Sequence, residues 1–254
     1  MVILLNFFAG EVFIIEKRVV IIGATSGIGR ALALMYAQSG ARLGLAGRRE
    51  ECLRTLQDSI GDKTVIQKMD LSVPDAAISL LEQLISRLGG MDLIIISSGI
   101  GHINPDLNWQ MERETVSVNV TGFMAMAQAA IKYFETQGSG QLVGLTSIAA
   151  IRGNGGAPAY GASKAFVSHY LEALRCRHHK NNSHIIITEI QPGFVDTNMA
   201  QGEGLFWVAP VEKAARQMLR IIEKKRKHAY ITRRWRLVAW IVRILPESIL
   251  RKMS

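Results

Sequence analysis

The chain has 254 residues, 48% hydrophobic and 20% charged, which fits one large globular domain rather than a disordered chain. Its two cysteines, Cys52 and Cys176, are far apart, so they build neither a disulfide framework nor a metal-ligand spacing, and a reducing, cytoplasmic setting is expected. Of the 30 basic residues 13 lie from Ala209 onward, against 3 of the 21 acidic residues, so the first 208 residues carry 17 against 18 and the tail holds the whole excess of positive charge.

Met1 to Ile15 is mostly apolar with Glu11 as its only charge, in runs too short for a spanning helix and with no basic lead, and predicts an extra lead-in strand or turn or an over-long start, a mobile extension looking the same. Residues 1–16 are therefore set apart as an N-terminal extension. Val19-Val20-Ile21-Ile22 is a continuous β-branched run of the kind buried in parallel sheets. Gly23-Ala24-Thr25-Ser26-Gly27-Ile28-Gly29 follows, then a predicted helix from Arg30 to Gln38. A strand, a glycine-rich turn and a helix N-terminus make a site for a pyrophosphate: the glycines admit close backbone approach and the helix end offers free N–H groups. The second strand, Arg42 to Ala46, ends at Gly47-Arg48-Arg49 rather than at an acid. An acid there would hold ribose hydroxyls; Arg48 suits a 2′-phosphate, so NADP(H) is favoured over NAD(H), the alternative being a pair of surface arginines opening a helix.

The alternation continues. Helices are expected over Glu50–Ile60, Ala76–Leu88 and Glu112–Phe134, and strands over Val65–Met69, Asp92–Ile96, Leu142–Leu145 and Ile185–Ile190. The fold class is α/β, a Rossmann-like doubly wound parallel sheet in three α/β/α layers, with right-handed crossovers and one catalytic domain over residues 17–232. Function belongs at the carboxyl ends of the strands. The motifs lie there: Asp70-Leu71, Ser97-Ser98-Gly99, Thr146-Ser147 and Pro192-Gly193. Tyr160 and Lys164 sit one turn apart on a helix, where an ammonium beside a phenol favours the phenolate. No cluster with metal-ligand spacing is visible, and no metal is expected.

Together these elements resemble the short-chain dehydrogenase/reductase family over about residues 17–200. The resemblance rests on Gly23, Gly27 and Gly29, on Asp70-Leu71, on Gly99, and on Asn119 in Val118-Asn119-Val120. It rests further on Ser147 thirteen residues before Tyr160, on Lys164 four after it, and on Pro192-Gly193-Phe194-Val195-Asp196-Thr197. Two sites depart from the family pattern: Ile22 stands where Thr usually precedes the first glycine, and Ile96-Ser97-Ser98-Gly99 replaces Asn-Asn-Ala-Gly.

The resemblance implies hydride transfer between a nicotinamide and a carbonyl or alcohol carbon. Tyr160 is implied as proton donor or acceptor. Lys164 would lower its pKa and hold the nicotinamide ribose, Ser147 would stabilise the substrate oxygen, and Asn119 would interrupt its helix and hold a relay water. Ser26, Ile28 and Gly29 would meet the phosphates, Arg48 the 2′-phosphate, Asp70 and Leu71 the adenine, and Val195 and Thr197 the carboxamide and diphosphate. The segment Asn198 to Val208, with Ile148 and Ile151, suggests an apolar pocket for a lipid-, acyl- or steroid-like small molecule; packing under a lid would need the same residues. Family members commonly pair as dimers or tetramers. The alternative function is a non-catalytic NADP-binding regulatory or scaffold protein.

Lys213–Lys227 predicts a basic helix, Ala229–Thr232 a last strand, and 233–254 a basic amphipathic helical tail. Tryptophans and aliphatics flanked by arginines over 233–245 suit an interfacial helix peripheral to an anionic membrane; a terminal helix covering the core or a neighbouring subunit fits equally. An acidic acyl carrier protein is a third partner for the basic patch. No nucleic-acid reading motif is present.

Overall fold

The computed structural model describes residues 5–8, 11–14, 16–180, 184–199, 206–246 and 248. The N-terminal segment forms two strands rather than one: β1 (Leu5–Phe8) pairs antiparallel with β2 (Glu11–Ile14), outside the main sheet.

The main sheet has seven parallel strands. They are β3 (Arg18–Ile22), β4 (Arg42–Gly47), β5 (Thr64–Lys68), β6 (Leu93–Ile96), β7 (Ser139–Leu145), β8 (His184–Pro192) and β9 (His228–Ile231). Their spatial order is β5-β4-β3-β6-β7-β8-β9. The order reverses between β3 and β6, so a crevice opens beyond the carboxyl ends of those two strands. The expected α/β class and strand alternation hold.

Strand periodicity sends alternate side chains to opposite faces. Val20 and Ile22 of β3 pack with Leu81, Leu84, Phe123 and Leu171 in one core layer. Val19 and Ile21 pack with Leu32, Tyr36, Leu53 and Met218 in the other. The first layer is covered by α3 (Pro74–Leu88), α5 (Phe123–Gln137) and α6 (Pro158–Lys180), the second by α1 (Gly27–Gln38), α2 (Glu50–Ile60) and α7 (Val211–Glu223). The central strands β3 and β6 are buried on both faces, which is why they are continuous Val/Ile/Leu runs with no polar alternation.

Local chemistry sets the ends. Pro74 opens α3, where its missing N–H costs nothing. Asn108 caps α4 (Trp109–Val116) by accepting from the amides of Gln110 and Met111. The long helix expected over Glu112–Phe134 begins three residues earlier, at Trp109, and is not uniform: Ser117–Gly122 is a π-helical turn linking α4 to α5. Helix α8 (Trp235–Ile244) packs beside edge strand β9.

Candidate active site

The glycine-rich turn leaves β3 at Gly23, whose φ of 89° suits glycine. The Gly23 and Ala24 amides both donate to the Ala46 carbonyl, at 2.8 and 3.1 Å, which folds the turn against β4. A Cβ on Gly29 would stand 2.2 Å from the Gly23 oxygen, so the helix starts as close to the turn as backbone allows. Ser26 at the α1 N-cap makes no side-chain cap bond, and α1 has no acid in its first turn. The helix end therefore keeps its positive dipole end and N–H groups uncapped by its own side chains, including those near Ile28 and Gly29. This arrangement fits an anionic diphosphate.

The second departure from the family pattern, Ser97-Ser98, lies beside this turn, while Ile22 packs in the core. Ser98 fills the space beside Gly23, its backbone nitrogen and hydroxyl 2.6 and 2.8 Å from where a Gly23 Cβ would be, and the Ser97 hydroxyl stands 3.3 Å from the same position on Gly29. Two small hydroxyl side chains thus form the floor.

Arg48 is exposed at the end of β4 and reaches toward Glu114 of α4 at 3.9 Å, while His102 approaches the same carboxylate at 3.4 Å. Its neighbour Arg49 lies on the turn itself, donating from Nη2 to both Thr25 Oγ1 and Ser26 Oγ at 2.8 Å. Sequence reasoning singled out Arg48 and missed Arg49. The signal was the second arginine of the pair, and only the three-dimensional turn shows which of the two it faces.

Asp70 is exposed and accepts from the Ser72 amide at 2.9 Å; Leu71 is buried, with Gly122 of the π-helical turn pressed on its backbone. From the other side, Pro192-Gly193 ends β8. Val195 bridges to Ala209, and the Thr197 methyl lies 3.1 Å from where a Gly27 Cβ would stand. A cavity of about 420 Å³, lined by Gly27, Arg30, Asp196, Thr197 and Arg216, joins the two segments.

Tyr160, Lys164, Ser147 and Asn119 meet beyond the ends of β6 and β7. The Ser147 hydroxyl accepts from the Ala149 amide at 3.2 Å and bonds the Tyr160 oxygen, which favours the phenolate. Burial acts more strongly in the other direction and pushes the Tyr160 phenol up. The expectation that Lys164 lowers the Tyr160 pKa is thus not met here. The Lys164 Nζ lies 5.8 Å from the Tyr160 ring centre and donates to the Leu145 carbonyl at 3.2 Å. It is itself buried, which brings its pKa down to about 8 and weakens it as a cationic partner.

Asn119 sits in the π-helical turn, so it does interrupt its helix. Its amide group donates to the Ile100 carbonyl at 2.7 Å and to Ser163 Oγ at 3.0 Å, and its Oδ1 accepts from the Ile100 amide at 2.9 Å. Ser163 in turn donates to the Tyr160 carbonyl at 2.7 Å, tying Asn119 to the helix turn that carries Tyr160. A Cβ at Gly99 would stand 3.0 Å from Lys164 Nζ and 3.4 Å from Asn119 Oδ1, so both polar atoms border one space.

Three supporting residues were not singled out from sequence. A Cβ on Gly101 would stand 2.8 Å from the Tyr160 ring, so the ring packs flat on that backbone. Gln191 donates to the Ser147 carbonyl at 3.4 Å, with its Oε1 2.7 Å from His228 Nε2. Arg152, in the loop between Ser147 and Tyr160, donates to the carbonyls of Val242, Arg243 and Leu245 at 3.3, 2.9 and 3.2 Å, capping the C-terminus of α8.

The sequence profile described as short chain dehydrogenase matches residues 17–205. The chain belongs to this family. A relative from Myxococcus xanthus (strain DK1622), named an uncharacterized oxidoreductase, is 35% identical over 188 residues, covering 72% of this chain and 74% of the relative. A short chain dehydrogenase from Burkholderia cenocepacia J2315, solved in complex with NADP, superposes with a TM-score of 0.79 at 20% identity over 93% of this chain and 97% of that one. A 3-ketoacyl-(acyl-carrier-protein) reductase from Brucella melitensis, complexed with NADH, gives 0.74 at 20% identity over 85% of this chain and 98% of that one. At such identities the two structures are likenesses of fold. The family places this short-chain dehydrogenase/reductase among the oxidoreductases. Among the described residues no helix is long and apolar enough to cross a membrane, and no cluster of three or more His, Cys, Asp or Glu could hold a metal.

Proposed function

We propose that the chain is an NADP(H)-dependent oxidoreductase that interconverts a carbonyl and a secondary alcohol on an apolar substrate. The observation that carries this reading is the meeting of half-buried Tyr160 and Ser147 with buried Lys164 in one cluster beside the glycine-rich turn.

The nicotinamide, when bound, supplies or accepts the hydride. The chain does the rest. Gly23, Gly27, Gly29 and the amides near Ser26 and Ile28 would hold the diphosphate against the α1 N-terminus. Asp70 and Leu71 would border the adenine, and Val195 and Thr197, beyond Pro192-Gly193, stand across the turn from Gly27, where Thr197 lies 3.1 Å from a Gly27 Cβ position. Tyr160 gives its proton to the substrate oxygen in reduction and takes one in oxidation. Its raised pKa keeps it protonated near neutrality, the form that reduction needs. Ser147 donates to the same oxygen and steadies its developing charge. Lys164 holds the ribose, and a water in the space shared by Lys164 Nζ and Asn119 Oδ1 would return the proton from solvent.

Arg48 and Arg49 support the choice of NADP(H): two guanidinium groups stand just beyond β4, where a 2′-phosphate could be paired bidentately, and the strand itself ends in no acid. The apolar substrate is supported by Ile148 and Ile151 beside Ser147, and by Met199, Phe206 and Trp207, which are exposed large hydrophobic residues following Thr197. A second copy of the chain fits the α4–α6 face, where a groove of about 490 Å³ lies between Trp109, Val116, Val120 and Ala162, with Phe166 also exposed on α6.

A panel of ketones and alcohols, long-chain members included, followed by NADPH absorbance tests the reading. Turnover of apolar members with NADPH supports it. NADPH binding without turnover of any member would assign the chain to a cofactor-binding scaffold instead.

A further inference from the structure

Helix α8 carries two apolar faces. Trp235, Val238, Ala239 and Val242 follow the i, i+3, i+4, i+7 spacing of one stripe and turn inward, Trp235 being only 2% exposed and Ala239 1%. Leu237, Trp240, Ile241 and Ile244 follow the same spacing on the opposite side and are 65%, 63%, 47% and 61% exposed. A helix apolar all round is ordinarily buried all round.

The exposed face is not awaiting a place in this chain's own core, because α8 is already docked at both ends. At its start the Trp235 ring lies against the Gly193 backbone, where a Cβ would stand 2.0 Å from the ring, and packs edge-on to Phe194 at 5.3 Å. At its end Arg152 caps the last carbonyls. The apolar surface also continues beyond the helix. Phe206 and Trp207 contact the Trp235 ring at 5.1 and 6.1 Å and are themselves 48% and 44% exposed.

Charge selects the occupant. Arg233, Arg236 and Arg243 are exposed around this face, and residues 229–246 contain no acid. A second copy meeting the face about a two-fold axis would bring two arginine-flanked faces together, with no acid in 229–246 of either to pair them. A ten-residue helix is too short to span a bilayer but can lie in its interface, aliphatics and indole below the headgroups and guanidinium groups on the phosphates.

We propose that α8 is an interfacial docking helix. Its Leu237, Trp240, Ile241 and Ile244 face seats in the headgroup layer of an anionic bilayer, and Arg233, Arg236 and Arg243 pair with lipid phosphates.

The full chain is floated with extruded vesicles of phosphatidylcholine alone or of phosphatidylcholine with phosphatidylglycerol. Co-flotation favouring the anionic vesicles by at least about tenfold, and weakened by salt, is expected. Leu237→Ser, Trp240→Ser and Ile244→Ser combined should abolish it while leaving the thermal midpoint unchanged. Arg233→Glu with Arg236→Glu, a second variant on exposed side chains, should lower it at least roughly tenfold. Absence of binding to anionic vesicles overturns the proposal, as does binding that survives both variants. A triple variant that turns a dimer into a monomer assigns the face to a second copy and overturns it as well.

Discussion

The Lys164 ammonium lies 5.8 Å from the centre of the Tyr160 ring and gives its hydrogen bond to the Leu145 carbonyl, not to the phenol. Two buried titratable groups thus sit one helical turn apart with each held toward its neutral form. Burial raises the Tyr160 pKa and lowers that of Lys164 to about 8.

A pH profile follows. Tyr160 stays protonated through neutrality, so kcat/KM for carbonyl reduction should be flat there and fall only in the alkaline range. Alcohol oxidation needs the phenolate and should climb as pH rises above neutrality. Steady-state rates in both directions across pH check this; an oxidation rate that falls with rising pH would contradict it.

Lys164 also links pH to stability. Its folded pKa, about 8, lies below the unfolded value near 10.5, so between these pH values the unfolded chain binds more protons and stability rises with pH. Below about 8 the cost of the buried charge is fully present. Lys164→Met should therefore hold or raise folding stability at neutral pH, by up to about 1–3 kcal/mol, while abolishing turnover. Calorimetry at pH 7 beside an activity assay reads both effects.

Gly101 should tolerate no side chain. Its backbone is free of left-handed strain, yet a Cβ would stand 2.8 Å from the Tyr160 ring. Gly101→Ala should displace the phenol and lower kcat roughly 10–100-fold with little change in NADPH affinity. Titration of NADPH fluorescence separates the two readouts.

Much of this was legible in the sequence because the chemistry is local. Val19–Ile22 could only be a buried strand, Gly23 to Gly29 demanded a turn, and Tyr160 and Lys164 shared a helical face by periodicity alone. What could not be read depends on long-range approach. Arg49, not Arg48, lies on Thr25 and Ser26 because β4 ends beside the turn. Arg152 reaches α8 across ninety residues of sequence. The sign of the Tyr160 shift depends on how deeply the fold buries it, which spacing does not report. The pairing of β1 with β2 was not read beyond a lead-in strand or turn, because two short apolar runs carry no turn signal as strong as Asn-Gly.

The two arginines should divide cofactor selection. Arg49→Ala, and Arg48→Ala to a smaller degree, should raise KM for NADPH by roughly tenfold and leave KM for NADH nearly unchanged. Equal use of both cofactors by the parent chain would remove the basis for this expectation.

Trp235 should anchor the C-terminal helix. It is 2% exposed among Phe194, Phe206 and Trp207. Trp235→Ala should cost about 3–5 kcal/mol of folding stability, and Gly193→Ala should act in the same direction by driving a methyl into the indole. Denaturant midpoints for both variants measure the effect.

The central claim is that Tyr160 exchanges the proton with the substrate oxygen, and Tyr160→Phe tests it most directly, since only one oxygen is removed. The variant is assayed on the best substrate of the ketone and alcohol panel, with NADPH binding measured beside turnover. Binding within a few fold of the parent and turnover down by at least about a thousandfold is the predicted result. Turnover near the parent level would contradict the account.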